Sequence, residues 1–188
     1  MALLRTFDDS VYPATTHTAV RIPVADVMES NCRALFEYWD GLRGQRLAPS
    51  WPEFRLDHLD PKVIPFIRVV DILADPFDIR YRYWGTGLVR VLGSERTGQT
   101  LSSLPLSRVP QAIREYKAVT EQKAPFAIIY NATTSNGSLP LIVPALRLPL
   151  MNDGVTVDKV VAYADFDADQ EKWRRLLAER GKETPTTK

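Results

Sequence analysis

The sequence has few of the residues that most catalytic and metal sites need. Its 188 residues include one cysteine, Cys32, and only two histidines, His17 and His58. A single cysteine forms no internal disulfide and no cysteine-paired metal site, and neither histidine has a second ligand at a spacing that suits a metal. A nucleophilic triad also needs a base, which is normally a histidine. We therefore expect no hydrolase activity and no metal centre.

A strong charge of one sign and long hydrophobic runs are missing as well. The chain has 24 basic and 23 acidic residues, a net charge of +1, which argues against a strongly basic nucleic-acid-binding surface. No run approaches the roughly 18 apolar residues of a membrane-spanning helix. Residues 1–25 contain Asp8, Asp9 and Arg21 and do not resemble a signal peptide. We expect a cytoplasmic protein that binds neither nucleic acid nor membranes.

The most informative stretch that is present runs from residue 77 to residue 101. Apolar and charged side chains alternate from Phe77 to Tyr83, which predicts a strand with one buried face. Gly85 ends this strand, and Thr86 is a candidate N-cap for a short helix. Gly93 stands where a left-handed C-cap needs a glycine, and Gly98 marks a further tight turn.

The rest of the chain predicts an α+β domain. We expect one domain over residues 26–181, with its sheet core at about 66–167, between an irregular arm (1–25) and a disordered tail (182–188). The predicted elements are a helix from Asp26 to near Gly44, a proline-rich connector (47–65), strands at 67–73, 77–84, 126–133, 139–151 and 157–166, and helices at 107–123 and 169–180.

Two motifs give the chain a resemblance to a known family. They are Tyr38-Trp39-Asp40-Gly41-Leu42-Arg43-Gly44 and Tyr81-Arg82-Tyr83-Trp84-Gly85-Thr86. They resemble parts of a PAS sensor domain. The order of elements around the second motif resembles one too: a strand, Gly-Thr, a short helix, Gly-x-x-x-Thr-Gly, a helix and three strands. The closer resemblance is to a bacterial PAS subgroup that has neither catalytic residues nor an output domain. The likeness covers roughly residues 34–167.

The resemblance implies a fold and a binding site. It implies a five-stranded antiparallel sheet, with the last strand between the first and the fourth, and helices from residues 85–123 closing one face. A ligand pocket would lie between that face and those helices. Carried over by position, its lining would be Tyr81, Tyr83, Leu88, Ile113, Tyr116, Ile128, Tyr130 and Tyr163. The implied function is a non-catalytic sensory or regulatory module of signal transduction that binds a small molecule or a partner protein.

The resemblance also bears on cofactors. Ser30-Asn31-Cys32-Arg33 is similar to the Asn-Cys-Arg motif of flavin photosensors of the PAS class, whose cysteine follows the first hairpin. Here Cys32 precedes the whole sheet, so it does not suit a photoactive role. Residues 85–125 contain no histidine that could hold haem. We expect neither flavin nor haem, and no redox activity.

Two other readings stay open. A small enzyme of the hotdog or cone type would need a histidine, aspartate or glutamate in its pocket, and the strands offer few. A dimerisation scaffold with a solid core would need no ligand. The arginines of the predicted strands, Arg80, Arg82 and Arg147, are expected to point to solvent; the alternative is that one of them anchors a carboxylate or a phosphate.

The flanking helices predict an assembly. In PAS domains such helices commonly carry the dimer contact, so we expect a homodimer with two-fold symmetry. The candidate interface residues are Met28, Leu35, Trp39, Leu42 and Trp173. The alternative is that the apolar stripe around Trp173 packs on the chain's own N-terminal helix.

Overall fold

The computed structural model describes residues 16–105, 109–133 and 141–183. The strands are β1 (Thr16–Ile22), β2 (Ile67–Ala74), β3 (Phe77–Trp84), β4 (Phe126–Thr133), β5 (Leu141–Leu150) and β6 (Lys159–Ala164). The helices are α1 (Val24–Val27), α2 (Cys32–Arg43), α3 (Thr86–Leu92), α4 (Val109–Gln122) and α5 (Gln170–Glu183). Short 3-10 turns lie at Leu56–His58 and Ile64–Phe66.

The strands form one antiparallel sheet in the order β1-β4-β5-β6-β2-β3. β6 therefore lies between β2 and β5, which confirms that the last strand is central between the first and fourth strands of the predicted core. The α+β class is confirmed too. The sheet has six strands rather than five because β1 adds to the edge at β4.

The expectation of an irregular arm over residues 1–25 is wrong for residues 16–22, which form β1. Residues 16–22 pair with β4 from Thr16 opposite Thr133 to Ile22 opposite Ala127. The pairing joins segments about a hundred residues apart, so local sequence gives little sign of it. At the other end, α5 continues to Glu183, into the start of the predicted tail. Residues 1–15 and 184–188 lie outside the described residues.

The predicted N-terminal helix is divided into α1 and α2. Ser30 Oγ donates to the carbonyl of Val27 at 2.7 Å and accepts from the amide of Cys32 at 3.2 Å. Such local side-chain bonds compete with helical ones. The predicted start at Asp26 is wrong, because α1 begins at Val24 and Asp26 lies inside it.

The glycine at the end of β3 is required by a close approach. A Cβ on Gly85 would lie 2.2 Å from the carbonyl oxygen of Pro65, so only glycine fits there. β3 ends at Trp84 and α3 begins at Thr86, which is therefore not the N-cap expected of it. Gly93 ends α3 in the left-handed conformation, with φ of 74°, which confirms the predicted C-cap.

The two faces of the sheet carry different helices. Side chains alternate between faces along a strand. On β5, Arg147 contacts Glu115 of α4, and this side is named the α4 face. The neighbouring residues Leu146 and Leu148 point to the other side, where α1 and α2 lie against β5; this side is named the α2 face.

The α2 face is closed by the candidate interface residues. Leu35, Trp39 and Trp173 are at most 1% exposed, and Trp39 Nε1 donates to the carbonyl of Pro149 at 2.8 Å. Met28 and Leu42 are partly buried against the same core. The expectation that these residues form a dimer interface is wrong for the three buried ones, because the sheet covers them within one chain. The homodimer itself stays a prediction.

Candidate ligand site under helix α4

A buried arginine is the centre of the α4 face. Arg147 is 1% exposed. Its Nη2 donates to the hydroxyl of Tyr130 at 2.6 Å and to Glu115 Oε2. Tyr130 in turn donates to the same carboxylate oxygen at 2.7 Å, and Gln111 Nε2 donates to Glu115 Oε1 at 2.9 Å. These bonds tie α4 to β4 and β5.

A second arginine belongs to the same cluster. The guanidinium carbon of Arg147 lies 4.4 Å from the ring centre of Tyr116, and Arg68 Nε donates to the hydroxyl of that tyrosine at 3.2 Å. Arg68 on β2 and Arg147 on β5 both lie opposite Ala162 of β6. The two arginines are therefore on one face, two strands apart, with an alanine between them.

The charges of the cluster follow from these contacts. Burial by itself would lower the pKa of Arg147, but Tyr130, Glu115 and Tyr116 raise it, so the guanidinium stays charged. Burial would raise the pKa of Glu115, yet Arg147 and hydrogen bonds from Tyr130 and Gln111 lower it. Burial raises the pKa of Tyr130 to about 12, so this tyrosine stays neutral.

Several donors in this region have no acceptor. Arg147 Nε and Nη1 are buried and have no hydrogen-bond partner among the described residues. The same is true of Trp84 Nε1. Trp84 lies opposite Arg68 in the sheet. Buried donors are nearly always paired in folded proteins because an unpaired one is costly. These nitrogens therefore mark a place where an acceptor is expected.

The predicted positions of the strand arginines are partly wrong. Arg80 and Arg82 are exposed, as expected, and Arg82 Nε bonds Asp71 at 2.8 Å. Arg147 does not point to solvent, because its place in β5 alternates with residues of the α2 face and lies beneath α4. It is buried beside Glu115 instead, and the alternative, that one of these arginines anchors a carboxylate or a phosphate, stays a prediction.

The predicted pocket residues divide between the two faces. Three of them are strand residues on the α4 face: Tyr81, Ile128 and Tyr130. Three others come from helices: Leu88 from α3, and Ile113 and Tyr116 from α4. Their role in binding stays a prediction. The expectation is wrong for Tyr83 and Tyr163, whose partners Val69 and Leu146 are on the α2 face. For Tyr83 the cause is a β-bulge: Val69 and Val70 pair with Tyr83 and Tyr81, and Arg82 is skipped.

Arg68, Gln111 and Glu115 were not expected in the site. One sequence signal points to the cluster: Arg147 is the only charged residue in the β5 segment Leu141–Leu150, which is otherwise apolar. A charge in a strand that is covered on both faces needs a buried partner. Glu115 is such a partner, next to Tyr116 and four residues after Gln111 on α4.

One buried carboxylate of the α2 face, that of Asp165, is hydrogen-bonded within the structure. A depression of about 390 Å³ lies beside the turn between α1 and α2, with Asn31, Asp165 and Trp173 in its lining. Asp165 is 1% exposed and accepts from the backbone amide and side-chain amide of Asn31 at 3.0 and 3.1 Å. It also accepts from the amide of Asp167 at 3.2 Å. This carboxylate therefore joins the start of α2 to the end of β6.

The strand order, with α4 packed on β3 and β5, is that of a PAS-like fold. No protein-family profile matches the chain, and no curated protein matches it. Among solved structures it is similar to a light-oxygen-voltage domain described with a flavin analogue, with a TM-score of 0.44 and 14% identity over 63% of this chain and 87% of that one. It is also similar to an RNA-binding light-oxygen-voltage receptor, with a TM-score of 0.39 and 14% identity over 89% of this chain and 45% of that one. Likenesses this low assign neither a ligand nor an activity.

The residues under α4 do not fit a cysteine-reactive flavin. Cys32, the only cysteine of the chain, is fully buried at the start of α2, on the opposite face of the sheet. Burial raises the pKa of its thiol to about 12. The expectation of no flavin and no haem stays a prediction. In the described ranges, no group of three or more histidine, cysteine, aspartate or glutamate side chains could hold a metal ion, and no helix has the length and apolar content to cross a membrane.

Proposed function

We propose that the chain is a cytoplasmic, non-catalytic sensory or regulatory module of the PAS-like type that binds a small molecule between its sheet and α4. The observation that supports the proposal is the buried guanidinium of Arg147, which has two nitrogens without an acceptor in the part of the chain that the structure describes. A core that had to be only stable would gain from apolar residues at this position.

The cluster favours binding over catalysis. Glu115 accepts hydrogen bonds from Gln111, Tyr130 and Arg147, so its carboxylate is ionised and its oxygens are occupied. A general base needs a free oxygen near the substrate and a pKa close to the working pH. Tyr130 is neutral with a pKa of about 12, which does not suit it as a general base. This disfavours the alternative of a small enzyme.

A ligand search with a matched variant tests the proposal. The purified chain is denatured and the released small molecules are identified by mass spectrometry. The control is the double variant Glu115→Gln/Arg147→Met, which removes both buried charges together and leaves neither unpaired. We expect a compound that the wild type releases in near-equal molar amount and the folded double variant does not. No release by the wild type would favour a ligand-free scaffold, and equal release by both proteins would contradict binding at this cluster.

We also propose that the module assembles as a homodimer that contacts a regulatory protein. The flanking residues buried on the α2 face are not available for this, but β1 forms one edge of the sheet and Val20 on it is 51% exposed. Light scattering of the intact chain should give a dimer, and Val20→Lys should shift it toward monomer. A wild-type monomer at tens of micromolar would contradict the proposal.

A further inference from the structure

We infer that the ligand under α4 is a monocarboxylate with an apolar body, whose carboxylate is held between Arg68 and Arg147 above Ala162. This inference rests on the proposed function, since it names the chemical class of the small molecule bound there.

The first support is the arrangement of the face. Trp84, Arg68, Ala162, Arg147 and Phe126 lie opposite one another across five adjacent strands. Neighbouring strands are about 4.8 Å apart, so the backbones of the two arginines are about 10 Å apart. Both long side chains can reach a group between them. The residue in the middle is an alanine, so no strand side chain fills the space between them, and Tyr116 of α4, which contacts both arginines, lies over it.

The next pair along the sheet is also small. Ala145 and Ala164 lie opposite each other, and Ala145 alternates with Arg147 so that both are on the α4 face. Three alanines thus lie on this face at or next to the strand positions opposite the two arginines. The other side chains around them are mainly apolar: Val70, Ile128, Val143 and Val160. Ligand sites commonly combine such an apolar lining with a few placed polar groups.

The second support is the sign of the unpaired groups. On the α4 face, the unpaired buried atoms among the described residues are the donors Arg147 Nε, Arg147 Nη1 and Trp84 Nε1. Glu115 and Tyr130 occupy Nη2 of Arg147, so these two residues fix the guanidinium while its other nitrogens stay buried without a partner among the described residues. A ligand that meets these donors must present acceptor oxygens.

The third support is the charge balance. The cluster contains two guanidinium groups and one carboxylate, that of Glu115. Arg68 has no ion pair within the described ranges; its Nε bonds the hydroxyl of Tyr116. A surplus of one positive charge in a partly buried site is matched by one negative charge. A carboxylate carries one, whereas a phosphate monoester carries about 1.5 to 2 at neutral pH. The balance favours the carboxylate.

Thermal unfolding of the full chain with matched probes tests the inference. The probes are octanoate, phenylacetate and 4-hydroxybenzoate, each paired with its primary amide, and inorganic phosphate. We expect at least one acid to raise the melting temperature in a concentration-dependent way while its amide, which has the same shape without the charge, does not. Arg68→Gln should weaken binding of that acid about tenfold or more, as loss of one charge-assisted hydrogen bond does. Arg80→Gln, which changes an exposed arginine on β3, should leave binding unchanged.

Each outcome has a separate meaning. An amide that stabilises the chain as well as its acid overturns the carboxylate inference and leaves the proposed ligand-binding function standing. If phosphate raises the melting temperature more than the acids do, the carboxylate inference is also overturned and the proposed ligand-binding function stands. If no acid binds, the inference fails, and the compound released from denatured wild type then decides the proposed function independently. If Arg68→Gln does not fold, the double variant Glu115→Gln/Arg147→Met replaces it, and unchanged binding by that variant also overturns the inference.

Discussion

The two faces of the same sheet bury different kinds of side chain. On the α2 face, Trp39 and Trp173 are almost fully buried and the indole of Trp39 has its hydrogen-bond acceptor. On the α4 face, Arg147 is buried equally deeply, but two of its nitrogens have no acceptor in the described part of the chain. Adjacent residues of β5 point into the two environments: Arg147 points to the α4 face, and its neighbours Leu146 and Leu148 point to the α2 face.

This difference determines what a substitution on each face is expected to change. A closed apolar face contributes stability through buried area and close packing. A buried charge that is only partly satisfied costs stability, so its presence beside a closed core indicates a role outside folding. The comparison predicts that substitutions on the α2 face act on folding alone, whereas substitutions on the α4 face act on folding and on ligand binding.

The largest effect is expected on the α2 face, from Trp39→Ala. Removing this side chain leaves a cavity and an unpaired carbonyl on Pro149, so we expect a loss of about 3–5 kcal/mol in the free energy of unfolding. Urea unfolding measures it. Glu37→Ala, on the exposed side of the same helix, should change stability by less than about 0.5 kcal/mol. A loss below about 1 kcal/mol for Trp39→Ala would mean that this face is not closed.

A similar loss is expected from Arg147→Met, for a different reason. The single substitution leaves the Glu115 carboxylate buried without its cation, which costs about 3–5 kcal/mol. The double variant Glu115→Gln/Arg147→Met removes both charges and should recover most of that loss. Urea unfolding of both proteins measures the recovery. A double variant as unstable as the single one would show that the pair is needed for packing, and the contrast between the faces would then disappear.

The outcome for the fold shows which signals the sequence carries. Gly93 is a local requirement of the backbone and was predicted at the right place; Gly85 ends β3 as predicted, but the close approach of Pro65 is what requires a glycine there. β1 was missed because its stability depends on pairing with β4. The opposite orientation of Tyr81 and Tyr83 was missed because a β-bulge breaks the alternation that sequence periodicity assumes.

The site shows the same difference between features that the sequence carries locally and features that depend on distant contacts. Aromatic positions such as Tyr116 and Tyr130 were predicted by position in the resembling family, and both lie in the cluster. The burial of Arg147 was not predicted, since the sequence does not state which helix covers which face of β5. The partner of that charge lies 32 residues away along the chain, and only the tertiary structure brings the two together.

A smaller effect is expected from pH. The pKa of Glu115 is lowered in the folded chain because Arg147, Tyr130 and Gln111 outweigh the effect of burial. A lowered pKa contributes stability above the unfolded value of about 4.3, and that stability is lost as the pH falls through the folded pKa. Urea unfolding between about pH 6 and pH 3 should therefore show a steeper loss for the wild type than for Glu115→Gln/Arg147→Met. Parallel curves would contradict an ionised Glu115.

The smallest effect on stability is expected from removing one hydroxyl. Tyr116→Phe keeps the ring against Arg147 but removes the acceptor of Arg68 Nε. A single hydrogen bond contributes about 1 kcal/mol, and Arg68 is only partly buried, so water can replace the tyrosine. Urea unfolding should detect at most this loss, whereas Tyr116→Ala, which removes a buried ring, should cost about 3–5 kcal/mol. Equal losses would show that the hydroxyl, and not the ring, holds α4 on the sheet.

The last comparison leaves stability unchanged and tests the closure of the α2 face directly. Burial raises the pKa of the Cys32 thiol to about 12, against an ordinary value of about 8.5. The thiolate is the reactive form, so at pH 8 its fraction should be lower by roughly three powers of ten in the folded chain. We expect a disulfide reagent such as dithionitrobenzoate to label the native protein very slowly and the urea-unfolded protein at once. The unfolded chain is its own control, because it contains the same single cysteine. Rapid labelling of the native protein would show that α2 leaves the sheet under native conditions. The α2 face would then be mobile rather than a closed core.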